Sequence, residues 1–312
     1  MNILFRTDSS SKIGIGHIMR DLVLAKQYPK SKITFATQEL EGSVNHKIDE
    51  TGYNKVILKS NDIEEVEILI KKLSIDMIII DHYGIDYTYE KQLKVKNPEL
   101  KIMVLDDTYE KHHCDILLNH NMGASKKKYK NLVPSNCELR CGSKFTLLRE
   151  EFLIEKKKSK RKRGSLSRNT FLVFIAMGGA DHSNINVDIL KTIKKVNKLY
   201  KEKIRINLVT TTANKNLKSL VKYCKYEKWI KLHVNSNKIA ELMAKSNLAI
   251  ITPSVTINEI YFMKVPFIAI KTASNQKEIY SYLKKKNFDV LNSFDTVKLQ
   301  KKLIKLLTKA DR

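Results

Sequence analysis

The chain contains no apolar run approaching the roughly 20 residues that a membrane-spanning helix requires. No basic-then-apolar leader precedes its first strand-like segment, so the expected location is the cytoplasm, without membrane insertion. Cysteine is scarce: Cys114, Cys137, Cys141 and Cys224 form no CxxC pair, which excludes the usual zinc frameworks and leaves four reduced thiols, packed or exposed. Arginine is scarce too, nine residues among 58 basic ones. The chain also lacks an RNP-like aromatic pattern, a zinc finger, a GXXG loop, a GxGxxG fingerprint and an obvious pair of catalytic carboxylates.

What is abundant is lysine, which brings the net charge to +25. The lysines are spread along most of the chain beside many asparagines, as in a compositional bias. The densest cluster, "EKKKSKRKRGSLSRN" at 155–169, carries eight basic residues and one acid, and discounting it still leaves +18. Charge without base-reading motifs supports only salt-sensitive, nonspecific nucleic-acid binding. A basic surface equally attracts anionic, nucleotide-linked small molecules.

At 312 residues and 42% hydrophobic content, the chain is long enough for two domains with separate cores. Strand-like apolar runs occur at 2–6, 32–37, 55–59, 77–81, 101–106 and 116–119. They restart at 170–179 and continue at 204–210, 230–234, 248–252 and 266–270, mostly with amphipathic helical stretches between them. Such alternation implies right-handed crossovers and parallel sheets. The expected architecture is α/β: two doubly wound, Rossmann-like domains at 1–154 and 170–312, joined by a basic linker or insertion at 155–169, with the site in the cleft between them.

Four stretches stand at carboxyl ends of these strands, where open parallel sheets place their ligand-facing loops. In "SSSKIGIGHIMRD", Gly14 and Gly16 lead into His17 at the mouth of a helix. An imidazole there is suited to a general base, because much of it is neutral at pH 7. It also suits a helix-terminus histidine bonded to backbone. In "IIIDHYGID", Asp81 could orient an imidazole and Tyr83 could donate to a substrate; alternatively Asp81 caps the next segment and Tyr83 packs. The neighbouring Asp106 and Asp107 are expected in a turn. In "FIAMGGADHSN", Gly178 and Gly179 allow close backbone approach, and the following helix would direct amides at an anion such as pyrophosphate; a simple tight turn fits as well. In "AIITPSVTINEIYFM", Thr252, Ser254 and Thr256 supply hydroxyls and N-cap chemistry, and Glu259 could accept both hydroxyls of a ribose, or be a solvated glutamate behind a capping box.

Together these stretches resemble the nucleotide-diphosphate-sugar enzymes of the GT-B fold, in particular the MurG-like branch. "FRTDSSSKIGIGHIMRDLVLA", "IIIDHYGID", "HHCDILLN", "VPSNCELRCGSKFTLLREEF", "MGGADHSN", "INEI" and "NQKE" are similar, in order from residue 1 to about 290, to the PseG-type hydrolases of pseudaminic acid biosynthesis. The 155–169 stretch and the C-terminal tail are less similar. The resemblance implies hydrolysis of UDP-2,4-diacetamido-2,4,6-trideoxy-β-L-altropyranose by inverting C–O cleavage at the anomeric carbon, with no metal and no cofactor. It implies His17 as the base that activates water, held by the Gly14 and Gly16 turn, with Tyr83 as its active-site partner. Arg149, Gly178, Gly179, Ser254, Asn258, Glu259 and Asn275 then fall where the family grips UDP and sugar. Ala180 replaces a common threonine in "MGGAD", where backbone does the holding. The UDP-sugar is the expected partner of a monomer that binds no specific nucleic acid.

This chemistry agrees with the residue types. UDP is a good leaving group, so the protein must neutralise developing charge and position one water, without the second carboxylic acid that glycosidases employ. A MurG-like transferase would share fold and UDP site but admit an acceptor hydroxyl, and a nonenzymatic polyanion-binding protein would show salt-sensitive RNA binding without UDP affinity.

Overall fold

The computed structural model describes residues 1–162, 170–199 and 203–310. The chain divides into two compact units, Met1–Leu148 and Arg149–Arg312. The division precedes the expected linker, for a physical reason: Arg149 pairs with Glu259 and Phe152 is buried, so the helix they begin belongs to the second unit. Residues 155–162 of the expected linker continue that helix; 163–169 lie outside the described residues.

The first unit runs β1 (Asn2–Thr7), α1 (Gly16–Ala25), β2 (Lys32–Gln38), α2 (His46–Glu50), β3 (Asn54–Leu58), α3 (Ile63–Lys72), β4 (Met77–Asp81), α4 (Tyr87–Lys96), β5 (Lys101–Leu105), β6 (Ile116–Asn119) and β7 (Glu138–Cys141). Its seven strands form one sheet in the order β3-β2-β1-β4-β5-β6-β7, every pairing parallel. β1 pairs β2 on one side and β4 on the other, so the chain reverses its direction of winding between β1 and β4. That is a topological switch point.

The sheet is covered on both faces, as the continuous apolar strands require. Alternate residues of β1 and β4 divide between two cores. Leu4, Ile78 and Ile80 pack with Val66, Ile70 and Leu93 from α3 and α4, whereas Ile3, Phe5, Met77 and Ile79 pack with Ile18 and Leu22 from α1. Each fully buried aliphatic side chain stabilises the unit by about 1.5–3 kcal/mol against leaving it exposed.

The second unit opens with α5 (Glu150–Lys162). It continues β8 (Phe171–Ala176), α6 (Asn186–Leu199), β9 (Ile204–Thr210), α7 (Leu217–Lys225), β10 (Ile230–Val234), α8 (Ile239–Ala244), β11 (Leu248–Ile251), α9 (Val255–Met263), β12 (Phe267–Ile270), α10 (Lys277–Lys285), β13 (Asp289–Leu291) and α11 (Thr296–Ala310). Among the described residues it holds a six-stranded parallel sheet, β10-β9-β8-β11-β12-β13, with its switch point between β8 and β11. Val173, Ile175, Ile250 and Ile268 pack against Ile189, Ile193 and Leu303 from α6 and α11.

All eleven expected strands are present to within a few residues; β7 and β13 are additions, both at sheet edges. The four cysteines are free thiols, and Cys114 Sγ lies 3.7 Å from Cys137 Sγ. No helix among the described residues is long and apolar enough to cross a membrane.

Candidate active site

The stretches singled out in the sequence flank the two switch points: residues 8–17 follow β1, Asp81 ends β4 with residues 82–83 after it, and residues 177–181 and 252–259 follow β8 and β11. In the first unit the three serines build the loop. Ser9 Oγ accepts the Val44 amide at 2.9 Å, Ser10 Oγ accepts the amides of Lys12 and Ile13 at 3.2 and 3.0 Å, and the Ser11 amide donates to the Glu41 carbonyl at 2.8 Å. Ser10 and Gly14 close the turn with reciprocal backbone bonds; Gly14 sits at φ +88°, a conformation costly for any residue with a Cβ. Gly16 is the first residue of α1, and Ile15 before it provides no side-chain cap.

This places His17, buried, against the end of β4. Its Nδ1 lies 2.9 Å from the Asp81 main-chain carbonyl and 3.2 Å from Asp81 Oδ1. A carbonyl only accepts, so Nδ1 carries the proton and donates, which leaves the Nε2 lone pair without a protein partner among the described residues. The Tyr83 ring meets the imidazole edge-on at 4.8 Å between centroids. Tyr83 donates its hydroxyl proton to Asp107 Oδ1 at 3.0 Å. Burial around the hydroxyl and the nearby Asp107 charge push its ionisation up. The oxygen is therefore an acceptor toward a ligand, rather than the donor expected from the sequence.

His82 is differently placed. Its Nδ1 accepts the Gly84 amide at 3.0 Å, so Nε2 donates to Asp8 Oδ2, also at 3.0 Å. Both nitrogens are occupied, and the ring has no lone pair left for a substrate water. Asp8 additionally binds Arg6 through both oxygens at 2.8 and 2.9 Å and accepts the Gln38 amide at 2.7 Å. Burial works against ionisation of Asp8, but His82 and Arg6 outweigh it and hold the carboxyl well below its usual range.

In the second unit Gly178 sits at φ +78°, and a side chain at Gly179 would meet Thr211 Cγ2 at 2.9 Å. The Gly179 carbonyl is fixed at 3.0 Å by the Thr211 amide and by the hydroxyls of Thr210 and Thr211. The start of α6 differs from expectation: Asp181 accepts the Ile185 and Asn186 amides at 3.2 Å, so those amides are already satisfied. At α9, Ser254 is the N-cap residue but makes no side-chain cap bond, its hydroxyl lying 3.1 Å from Thr252 Oγ1. The Ser254 and Ile257 amides are bonded to the Thr252 and Ser254 carbonyls, both at 2.9 Å, so among the described residues the donors this helix start keeps for an anion are the amides of Val255 and Thr256.

Glu259 and Asn258 are buried in α9 rather than solvated. Both Arg149 Nε and one terminal nitrogen donate to Glu259 Oε1, at 3.1 and 3.0 Å, while Oε2 accepts nothing among the described residues. Burial raises the Glu259 carboxyl and Arg149 opposes it. Arg149 also reaches Glu151 at 2.9 Å and stacks over Phe152, 4.9 Å from the ring centroid. Asn275 is exposed on a single 3-10 turn, Ser274–Gln276, closed by Gln276 Oε1 accepting the Thr272 amide.

Four residues of the first site escaped the sequence reading in any functional role: Arg20, Asp21, Asp107 and His120. Arg20 and Asp21 stand three and four residues after His17, a spacing that stacks side chains on one helix face, and this was the available signal. His120 follows β6, buried, with neither ring nitrogen partnered among the described residues; burial and the Arg20 charge push it down to about 3, so it is neutral. Among the described residues no group of three or more His, Cys, Asp or Glu is placed to hold a metal ion.

Two parallel-sheet units of this kind define the GT-B class. The structure is similar to the spinosyn rhamnosyltransferase SpnG (TM-score 0.67, 9% identity, 99% of this chain and 92% of that one). It is similar also to MurG of Acinetobacter baumannii (TM-score 0.63, 9% identity, 98% and 90%). No family model matches the chain. A curated relative from Campylobacter jejuni, named UDP-2,4-diacetamido-2,4,6-trideoxy-beta-L-altropyranose hydrolase, is 43% identical over 290 residues, which are 93% of this chain and 98% of the relative. The chain belongs to that hydrolase family.

Proposed function

We propose that this protein hydrolyses UDP-2,4-diacetamido-2,4,6-trideoxy-β-L-altropyranose to UDP and the free 2,4-diacetamido-2,4,6-trideoxy-L-altrose, as a cytoplasmic monomer in pseudaminic acid biosynthesis. The observation that carries the reading, beside family membership, is the His17 imidazole with its Nδ1 proton committed to Asp81 and its Nε2 unpartnered among the described residues. A water hydrogen-bonded to Nε2 attacks the anomeric carbon from the face opposite UDP. Its proton passes to Nε2, the C–O bond to the diphosphate breaks, and the electron pair leaves with UDP, inverting the anomeric centre. Tyr83 accepts a hydrogen bond from the same water.

The second unit binds the nucleotide. Glu259 Oε2 accepts the ribose hydroxyls, and Gly178, Gly179 and Ser254 at the start of α9 face the diphosphate, whose charge Arg149 balances. Asn258 and Asn275 complete the grip on UDP and sugar. Because backbone donors and a guanidinium do this work, turnover is expected to persist in EDTA; loss of activity restored by magnesium would contradict the scheme.

Incubation with the UDP-sugar alone, followed by proton NMR, tests the function. Release of free sugar of inverted anomeric configuration, with no acceptor present, is the expected result. Turnover only when an acceptor alcohol is added would make the protein a transferase instead.

A further inference from the structure

The scheme above leaves unused a buried guanidinium directly behind the base. Arg20 Nε donates to Asp81 Oδ2 at 2.5 Å, and a terminal nitrogen binds Asp81 Oδ1. Its other terminal nitrogen donates to Asp107 Oδ2 at 3.2 Å. Asp81 is the residue that holds His17 Nδ1, and Asp107 is the residue that takes the Tyr83 proton. The contacts therefore close a ring: His17, Asp81, Arg20, Asp107, Tyr83, and back to His17 through the edge-on ring contact. The ring joins α1, the end of β4 with the loop that follows it, and the loop after β5.

We infer that Arg20 is a positioning residue of the hydrolysis, which aims His17 and Tyr83 jointly through Asp81 and Asp107 and offsets the Asp81 charge beside the imidazole. The inference rests on the reading of His17 as base. The groups facing that imidazole are Arg20 and Asp21 on its own helix, Asp81 and Tyr83 from the end of β4, Asp107 from the loop after β5, and His120 from the end of β6. His120 is neutral, and burial together with the Asp81 charge pushes the Asp21 carboxyl up from its usual range. The ionic contacts behind the base are those of Arg20 with Asp81 and Asp107. Without the guanidinium, a carboxylate oxygen 3.2 Å from Nδ1 would stand uncompensated and would favour the protonated, inactive imidazole.

The test is the pH profile of kcat for Arg20→Gln and Arg20→Lys, with UDP binding measured alongside. Arg20→Gln is expected to move the acid limb of kcat to higher pH by about 1–2 units and to leave UDP affinity intact. Arg20→Lys restores the charge but not the fork, so its limb returns while kcat stays low. A kcat lowered by one factor at every pH, with the limb unmoved, would reduce Arg20 to a structural role and overturn the inference. Should Arg20→Gln fail to fold, Asp107→Asn decides the matter. It cuts the ring at the partly exposed side, and is expected to lower kcat about tenfold with KM unchanged, as a misaimed group does; wild-type kcat would overturn the inference. The His17→Ala control separates the two readings: if it retains turnover, His17 is not the base, whatever Arg20 does.

Discussion

At the scale of single residues, the two histidines nearest the first switch point are chemically opposite. His17 has one nitrogen committed and one open, and His82 has both committed. His17→Ala is therefore expected to lower kcat by about 10²–10⁴, with UDP affinity, measured by calorimetry, unchanged. His82→Ala is expected to keep the pH profile while costing about 1–3 kcal/mol of stability, because Asp8 loses a buried donor. A profile that moved with His82 would exchange their roles. Glu259→Ala should weaken UDP binding by about 10- to 100-fold, the equivalent of a charge-assisted hydrogen bond of 1.5–3 kcal/mol. Unchanged affinity would remove Glu259 from the ribose. The positions of His17 and Glu259 were legible because each stands at the start of a helix following a strongly apolar strand. The tautomer of His17 was not, since it depends on a carbonyl 64 residues away.

At the scale of elements, the turn after β5 shows how the site is fixed. Asp106 Oδ1 accepts the Thr108 amide and hydroxyl, Oδ2 accepts the Tyr109 amide and the Tyr129 hydroxyl, and the next residue, Asp107, is thereby presented to Arg20 and Tyr83. The sequence showed the turn but not its use, which needs α1 and β4 brought alongside. The same turn is braced by His112, whose Nδ1 lies 2.7 Å from Glu90 and whose Nε2 lies 3.9 Å from Asp106. Burial would push this imidazole down, but the two carboxylates outweigh it and raise it to about 9. The folded form thus holds its proton more tightly than the unfolded chain, whose histidine ionises near 6.5. The resulting stabilisation is complete below about pH 6.5 and is lost as pH rises toward 9. Thermal melts of the wild type and His112→Gln should differ most in mildly acidic buffer and converge toward pH 9. A difference independent of pH would deny that the braced histidine is charged. Edge strands were the elements least legible: "ELRC" of β7 and "DVL" of β13 are short and mostly solvent-facing or half-buried, so they lack the apolar run that marked β1 or β4.

At the scale of the whole molecule, the sequence pattern of alternating apolar runs and amphipathic helices carried the fold, because strands buried between two helical layers must be apolar throughout. What it did not carry is the meaning of the charge. Each UDP-sugar brings two negative phosphates to a protein of net charge +25, and the field of a basic surface raises the local concentration of an anionic substrate. The contacts assigned to UDP are short-range hydrogen bonds and one guanidinium, which salt screens weakly, whereas the dispersed lysines act over distances comparable to the Debye length and are screened readily. Raising ionic strength from about 0.02 to about 0.5 M should therefore lower kcat/KM severalfold while leaving kcat at saturating substrate unchanged. RNA or heparin should compete at the low-salt end and lose its effect at the high-salt end, as contacts made only by counterion release do. RNA that still bound tightly in 0.5 M salt would show that the lysines build a specific nucleic-acid site. A kcat that fell together with kcat/KM would place the salt-sensitive charge at the reacting centre instead of on the approach to it.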